Sequence, residues 1–217
     1  MSDGLSRPAL SFSRRLRQWM PSDRNGGRWL LGLVFFALVL LSLLGERGQQ
    51  LLQYQREAVL QGEYWRLVTA HLVHGNTHHL LLNSAGLGLI GWLFYDDGYS
   101  WRAWLLIALF SMVAIDLAFV FFEPQVDWYL GLSGVLHGAL VAGAMTWWRC
   151  QPKWLALLLS AYLVGKLAWE QRYGALPLSG DMPVVVDAHL YGSIGGALAG
   201  FILWVQAHRQ VAVKSRI

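Results

Sequence analysis

Six apolar runs separated by mostly short polar connectors set the limits on what this chain can fold into. They cover 29–44, about 79–95, 101–122, 133–148, 154–169 and 188–206. A helix needs roughly 20 apolar residues to cross a hydrocarbon layer, and each run comes close to that length. In lipid every backbone N–H and C=O must find an internal partner, so such runs are helical. The pattern predicts an all-α polytopic membrane protein with six transmembrane helices. Composition agrees: 55% of the residues are hydrophobic and 14% charged, too little charge to cover a soluble domain. Twelve Trp and eight Tyr suit a protein with two membrane–water interfaces. The first run is short enough to compete with a signal peptide. No small-x-small cleavage site ends it and more apolar runs follow, so it is read as a retained span.

The runs divide the chain into a basic segment, 1–28, a six-helix domain, 29–206, and a basic tail, 207–217. Arg7, Arg14, Arg15, Arg17, Arg24 and Arg28 precede the first span; Arg209, Lys214 and Arg216 follow the last. Arg149 and Lys153 lie between spans four and five. By the positive-inside rule both termini are cytoplasmic. The net charge of +4 therefore reads as membrane topology rather than nucleic-acid binding. Arg47, Arg56 and Arg66 run against the trend, within a mixed segment, 45–78, too charged to span. It is expected to be a structured loop in or on the interface. The one cysteine, Cys150, excludes an intramolecular disulfide and a Cys-rich metal site.

Three polar clusters fall at the starts of spans two, four and six, where buried polar groups are costly and usually functional. The first holds His71, His74, His78, His79 and Asn83; the second is GLSGVLHG, 131–138; the third is DAHLYGSIGG, 187–196. Even-numbered spans run from outside to inside, so the three clusters share one depth near the outer face. A serine attacks a carbonyl when a base takes its proton and donors hold the oxyanion. Ser133, at a helix start between Gly131 and Gly134, is the candidate nucleophile. The competing reading is an N-cap serine beside packing glycines. His189, one turn into span six behind a possible Asp187 N-cap, is the candidate base. Gly192, Gly196 and Gly200 form a flat face for span four, whose own small residues are Gly134, Gly138 and Ala142. His79 and Asn83 share a helix face and can donate to an oxyanion; interhelical hydrogen bonding is their bland account. The histidines could also be metal ligands, but no HExxH is present, and neither metal nor cofactor is expected.

Together these residues resemble the rhomboid intramembrane proteases. EYWRLVTAHLVHGNTHHLLLN is similar to the family's Trp-Arg element (Trp65, Arg66), its structural histidine (His74) and its His-x-x-x-Asn pair (His79, Asn83). GLSG matches its nucleophile motif, and AHLYGSIGG its base motif with Gly192 and Gly196. The resemblance implies a Ser133–His189 dyad with no third carboxylate, an oxyanion held by Asn83, His79 and the Ser133 N–H, and sideways substrate entry near span five. Where the family commonly has Tyr, four residues after the nucleophile, this chain has His137. It is expected to stack on His189; serving as the base itself is the alternative. That histidine and the small size look most like the rhombosortase branch. This implies a bacterial inner-membrane enzyme with its site near the periplasmic face. Its substrates would be membrane-anchored proteins with a C-terminal Gly-Gly-type signal, an apolar helix and a basic tail. The rivals are a rhomboid-like pseudoprotease that binds helices without cutting, and a transporter suggested by Asp116, Lys166 and Glu170.

Overall fold

The computed structural model describes residues 24–94, 97, 99–176 and 183–214, with the backbone alone for Arg24 and 208–214. Most of the basic segment 1–28, the end of the tail, Asp96 and Gly98, and Pro177 and Gly180 of the long connector lie outside the described residues. The chain is mostly helical. Its elements in order are α1 (Arg24–Ser42), α2 (Gly45–Leu52), β1 (Tyr54–Gln55), α3 (Arg56–Leu60) and α4 (Arg66–Thr69). Then come α5 (Thr77–Leu93), α6 (Trp101–Phe121), β2 (Trp128–Tyr129), α7 (Ser133–Cys150), α8 (Lys153–Tyr173) and α9 (Asp187–Lys214).

Among the described residues, α1, α5, α6, α7, α8 and α9 are the long helices, and each covers one apolar run. Three of them, α1, α6 and α9, are long and apolar enough to cross a membrane by length and composition alone. The other three carry what lowers their apolarity. α5 is 17 residues long and opens with Thr77, His78 and His79; α7 is rich in glycine and contains His137; α8 contains Lys153, Lys166 and Glu170.

Polarity runs opposite to that of a water-soluble bundle. Leu105, Leu109, Val113 and Leu117, one per turn of α6, are all exposed, as are Trp29, Leu33, Phe36 and Leu40 of α1. Such stripes would be an association hazard in water; against lipid tails they cost nothing. Inside, the contact between α7 and α9 is made by small residues. α9 lies against α7 so closely that a Cβ on Gly192 would come 2.1 Å from Gly134 O, and one on Gly196 2.1 Å from Gly138 O. Gly200 lies against Ala142 one turn further on. The apposition of the two small-residue faces is thus the one their four-residue spacing anticipates.

The segment between α1 and α5 is structured, but not wholly as expected. β1 pairs antiparallel with β2, Tyr54 opposite Tyr129, a two-residue ribbon that the all-α expectation omitted. Its cause is local: away from the helices, this backbone still needs partners. Arg56 donates from Nη1 to Phe119 O (2.6 Å) and from Nη2 to Val120 O (3.2 Å), capping the carbonyl end of α6. Arg66, 5% exposed, donates to Gln50 O (2.8 Å), Gln53 O (2.7 Å) and the Glu63 carboxylate (2.6 Å). Thr69 Oγ1 donates to Leu52 O at 2.6 Å. Two of the three arginines that run against the charge trend, Arg56 and Arg66, therefore hold helix ends. Finally, the Gly131 N–H donates to Ala70 O (2.9 Å), tying the loop to the strand that leads into α7.

Candidate active site

Ser133 is the first residue of α7, preceded by Leu132 in helical conformation. The chain reverses just before it at Gly131, φ +115°, a conformation that a Cβ disfavours. A Cβ there would also lie 2.6 Å from His79 Cε1. Gly131 is thus required twice, for its backbone angle and for the ring beside it. Tyr129 fixes the same turn by donating its hydroxyl to Gly131 O at 2.7 Å, and burial pushes that hydroxyl's pKa up, keeping it a donor. As a first-turn residue, Ser133 presents an amide N–H with no intrahelical partner.

His189 lies one turn into α9, 5% exposed. Its Nε2 is 2.9 Å from Ser133 Oγ, a hydrogen bond that joins the starts of α7 and α9. The close glycine contact one turn below sets that distance. Asp187 does not act as the N-cap: it is the first helical residue, and its Oδ1 accepts from Gln171 Nε2 of α8 at 3.3 Å. The other ring nitrogen of His189, Nδ1, is 2.9 Å from Glu170 Oε2. Glu170 is 3% exposed and its Oε1 accepts from Lys166 Nζ at 2.6 Å. A carboxylate therefore stands where the expected dyad had none.

His137 stacks on His189, with centroids 4.1 Å apart and planes 18° apart. Its Nδ1 faces Ser133 O, one turn back along the same helix, at 2.7 Å. A carbonyl accepts only, so Nδ1 carries the proton and Nε2 the lone pair. The contact to the serine hydroxyl belongs to His189. His137, Glu170 and His189 offer nitrogen and oxygen atoms within 4.8 Å of one another. Imidazole lone pairs lie in the ring plane, however, and two stacked rings do not aim them at one ion.

Asn76 caps α5 by accepting from the His79 N–H (2.8 Å), which fixes His79 and Asn83 on the face toward Ser133. Asn83 is 3% exposed and donates one Nδ2 hydrogen to His79 O (2.9 Å), leaving the second available. His79 packs edge-on against His74, centroids 4.9 Å apart. The first cluster is nevertheless not one group. His71 instead faces Asp116 Oδ1 at 3.3 Å, joining the loop to α6, and His78 is exposed. Asp116, one of the residues behind the transporter rival, anchors the loop near the end of α6. Trp65 is half exposed and donates to Leu51 O at 3.3 Å, so with Arg66 it belongs to the loop scaffold and not to the site.

His79, Asn83, Ser133, His137 and His189 line one cavity of ≈ 310 Å³, whose remaining walls include Leu82 and Leu89 of α5 and Tyr162 and Lys166 of α8. It lies between α5 and α8. Sequence reasoning noted Glu170 but missed its place here. The signal was present, because span five ends on the side where spans two, four and six begin.

A mostly helical bundle with apolar outer faces and a serine bonded to a buried histidine defines a class of membrane protein with a polar centre. Residues 61–206 match the Rhomboid domain, more than half of the chain, and the protein belongs to that family. It is 28% identical over 152 residues to RHOMBOID-like protein 6, mitochondrial, of Arabidopsis thaliana, covering 68% of this chain and 47% of the relative. It is also 28% identical over 149 residues to RHOMBOID-like protein 7 of the same plant, covering 66% and 44%. An uncharacterized protein of Mycobacterium tuberculosis is 25% identical over 210 residues, covering 86% of this chain and 81% of the relative. With the family and the apolar helices together, the chain is an integral membrane protein.

Proposed function

We propose that this protein is an intramembrane serine endopeptidase, with Ser133 as nucleophile and His189 as general base. The observation that carries the reading is the 2.9 Å contact between His189 Nε2 and Ser133 Oγ at the wall of a cavity in an apolar bundle. Ser133 Oγ adds to the scissile carbonyl as its proton passes to Nε2; His189 returns that proton to the amide nitrogen as the C–N bond breaks. Water, deprotonated by His189, then cleaves the acyl-serine ester and restores Ser133. The Ser133 N–H, the spare Nδ2 hydrogen of Asn83 and a ring N–H of His79 hold the oxyanion. All six long helices cross the bilayer within 29–206, with 1–28 and 207–217 cytoplasmic. The site then faces the periplasm of a bacterial inner membrane. Substrate enters between α5 and α8, whose leucines and tyrosine suit an apolar segment arriving from lipid. The substrate class is a membrane-anchored protein with a C-terminal Gly-Gly-type signal, helix and basic tail, as in the rhombosortase branch. That choice is supported by the GLSGVLHG motif.

The test is labelling by a fluorophosphonate in detergent. Wild type is expected to label, and Ser133→Ala and His189→Ala to lose labelling by about 10³-fold or more. His137→Ala is expected to keep more activity than His189→Ala; the reverse order would make His137 the base. Labelling equal in wild type and Ser133→Ala would remove the protease reading and favour a helix-binding pseudoprotease. Co-expression with a tailed protein tests the substrate class separately, and an uncut tail overturns only that part.

A further inference from the structure

We infer that Glu170 is a positioning residue of the site, holding His189 in the tautomer and orientation that let it act on Ser133; the inference rests on the protease reading above. Three observations carry it. Glu170 Oε2 lies 2.9 Å from His189 Nδ1, and the two residues are 3% and 5% exposed. An ionised carboxylate only accepts, so Nδ1 carries the hydrogen and Nε2 keeps its lone pair toward the serine hydroxyl. Second, Glu170 occupies the last turn of α8, the end of a helix dipole where a negative charge is disfavoured. A buried acid at that place calls for compensation, and Lys166 supplies it from one turn earlier at 2.6 Å. Third, the two carboxylate oxygens are divided, Oε1 to Lys166 and Oε2 to His189. A carboxylate satisfies both donors; a carboxamide, with one oxygen, satisfies one.

When Ser133 gives its proton to Nε2, the ring becomes an imidazolium with Nδ1–H still bound to Glu170. Glu170 remains a carboxylate throughout and opposes the new positive charge. The proton leaves from Nε2 to the departing amine. Lys166 holds Glu170 in place. A purely structural Lys166–Glu170 pair needs no histidine, and a bare dyad leaves Nδ1 without an acceptor in a buried setting, which is costly.

The test uses the full chain in detergent and follows the labelling rate of Ser133 together with the His189 Nδ1–H proton by NMR. Loss of that resonance in His189→Ala identifies it. Glu170→Gln is expected to slow labelling by about 10²–10⁴-fold and to abolish the downfield Nδ1–H resonance. Glu170→Asp is expected to recover at least about tenfold of that loss. A slow Glu170→Gln protein that keeps the resonance is merely destabilised, and that result overturns the inference. So does Glu170→Gln labelling at the wild-type rate, or a wild-type protein without the resonance. Wild-type protein that shows the resonance but does not label refutes the protease reading instead, with the His189–Glu170 bond left standing.

Discussion

His189 makes three contacts that no single sequence pattern describes: Ser133 at Nε2, Glu170 at Nδ1 and the His137 ring on its face. Two of the three partners were legible, because motif position singled out Ser133 and helical spacing put His137 one turn beyond it. Glu170 was legible only as a residue at the site end of span five; its contact with His189 spans a 19-residue separation that the i, i+4 pairing with Lys166 concealed. The loop histidine His74 yields a prediction of a different kind. Burial, with the neighbouring His79 adding to it, lowers its pKa from 6.5 to about 3. Folded protein therefore keeps His74 neutral where the unfolded chain protonates it. Stability is fully present above about pH 6.5 and falls as pH drops toward 3, by up to about 1.4 kcal/mol per unit from this one group. Melting temperatures in detergent at pH 7.5 and 4.5 check this. His74→Phe is expected to show a smaller drop between the two than wild type; an equal drop would exclude His74 as a source of acid sensitivity.

Helices were the most legible elements, because lipid forces backbone self-satisfaction and apolar length follows directly from it. The ribbon was not legible: two residues per strand are too few for an alternating pattern, and the partners are far apart in sequence. The α7–α9 contact lies between these cases. Its glycines were visible at four-residue spacing, while the distance they permit came only from the structure. Gly192→Val is expected to force the helices apart, since its Cβ would meet Gly134 O at 2.1 Å. Overpacking of this kind costs about 1–3 kcal/mol or more, and His189 sits one turn away. Both melting temperature and Ser133 labelling should fall. Gly165→Ala, on α8 with nothing within 4 Å of the added Cβ, is the control and is expected to hold or raise the melting temperature. Equal melting of Gly192→Val and wild type would show that the close approach is not required.

At the scale of the whole molecule, charge and helix direction give the proposed orientation. α5, α7 and α9 begin at the site end, and α6 and α8 finish there. The opposite end carries Arg28, Arg102, Arg149 and Lys153. At the site end Arg56 and Arg66 are bonded to backbone carbonyls and Lys166 is paired with Glu170, which leaves Arg47 and Arg172 as the other cations there among the described residues. Positive charge thus accumulates away from Ser133, the asymmetry that directs insertion. Replacing Cys150 by Ala gives a background without thiols, since the chain has one cysteine. In that background Gln125→Cys reports on the site end, in the exposed stretch before β2, and Gln151→Cys on the opposite end, after α7. A membrane-impermeant maleimide applied to intact spheroplasts is expected to label position 125 and spare 151, and inverted vesicles should give the reverse. The opposite pattern would invert the orientation while leaving the site chemistry untouched. Labelling of both positions from one side would break the six-span reading itself, because α7 would then not cross.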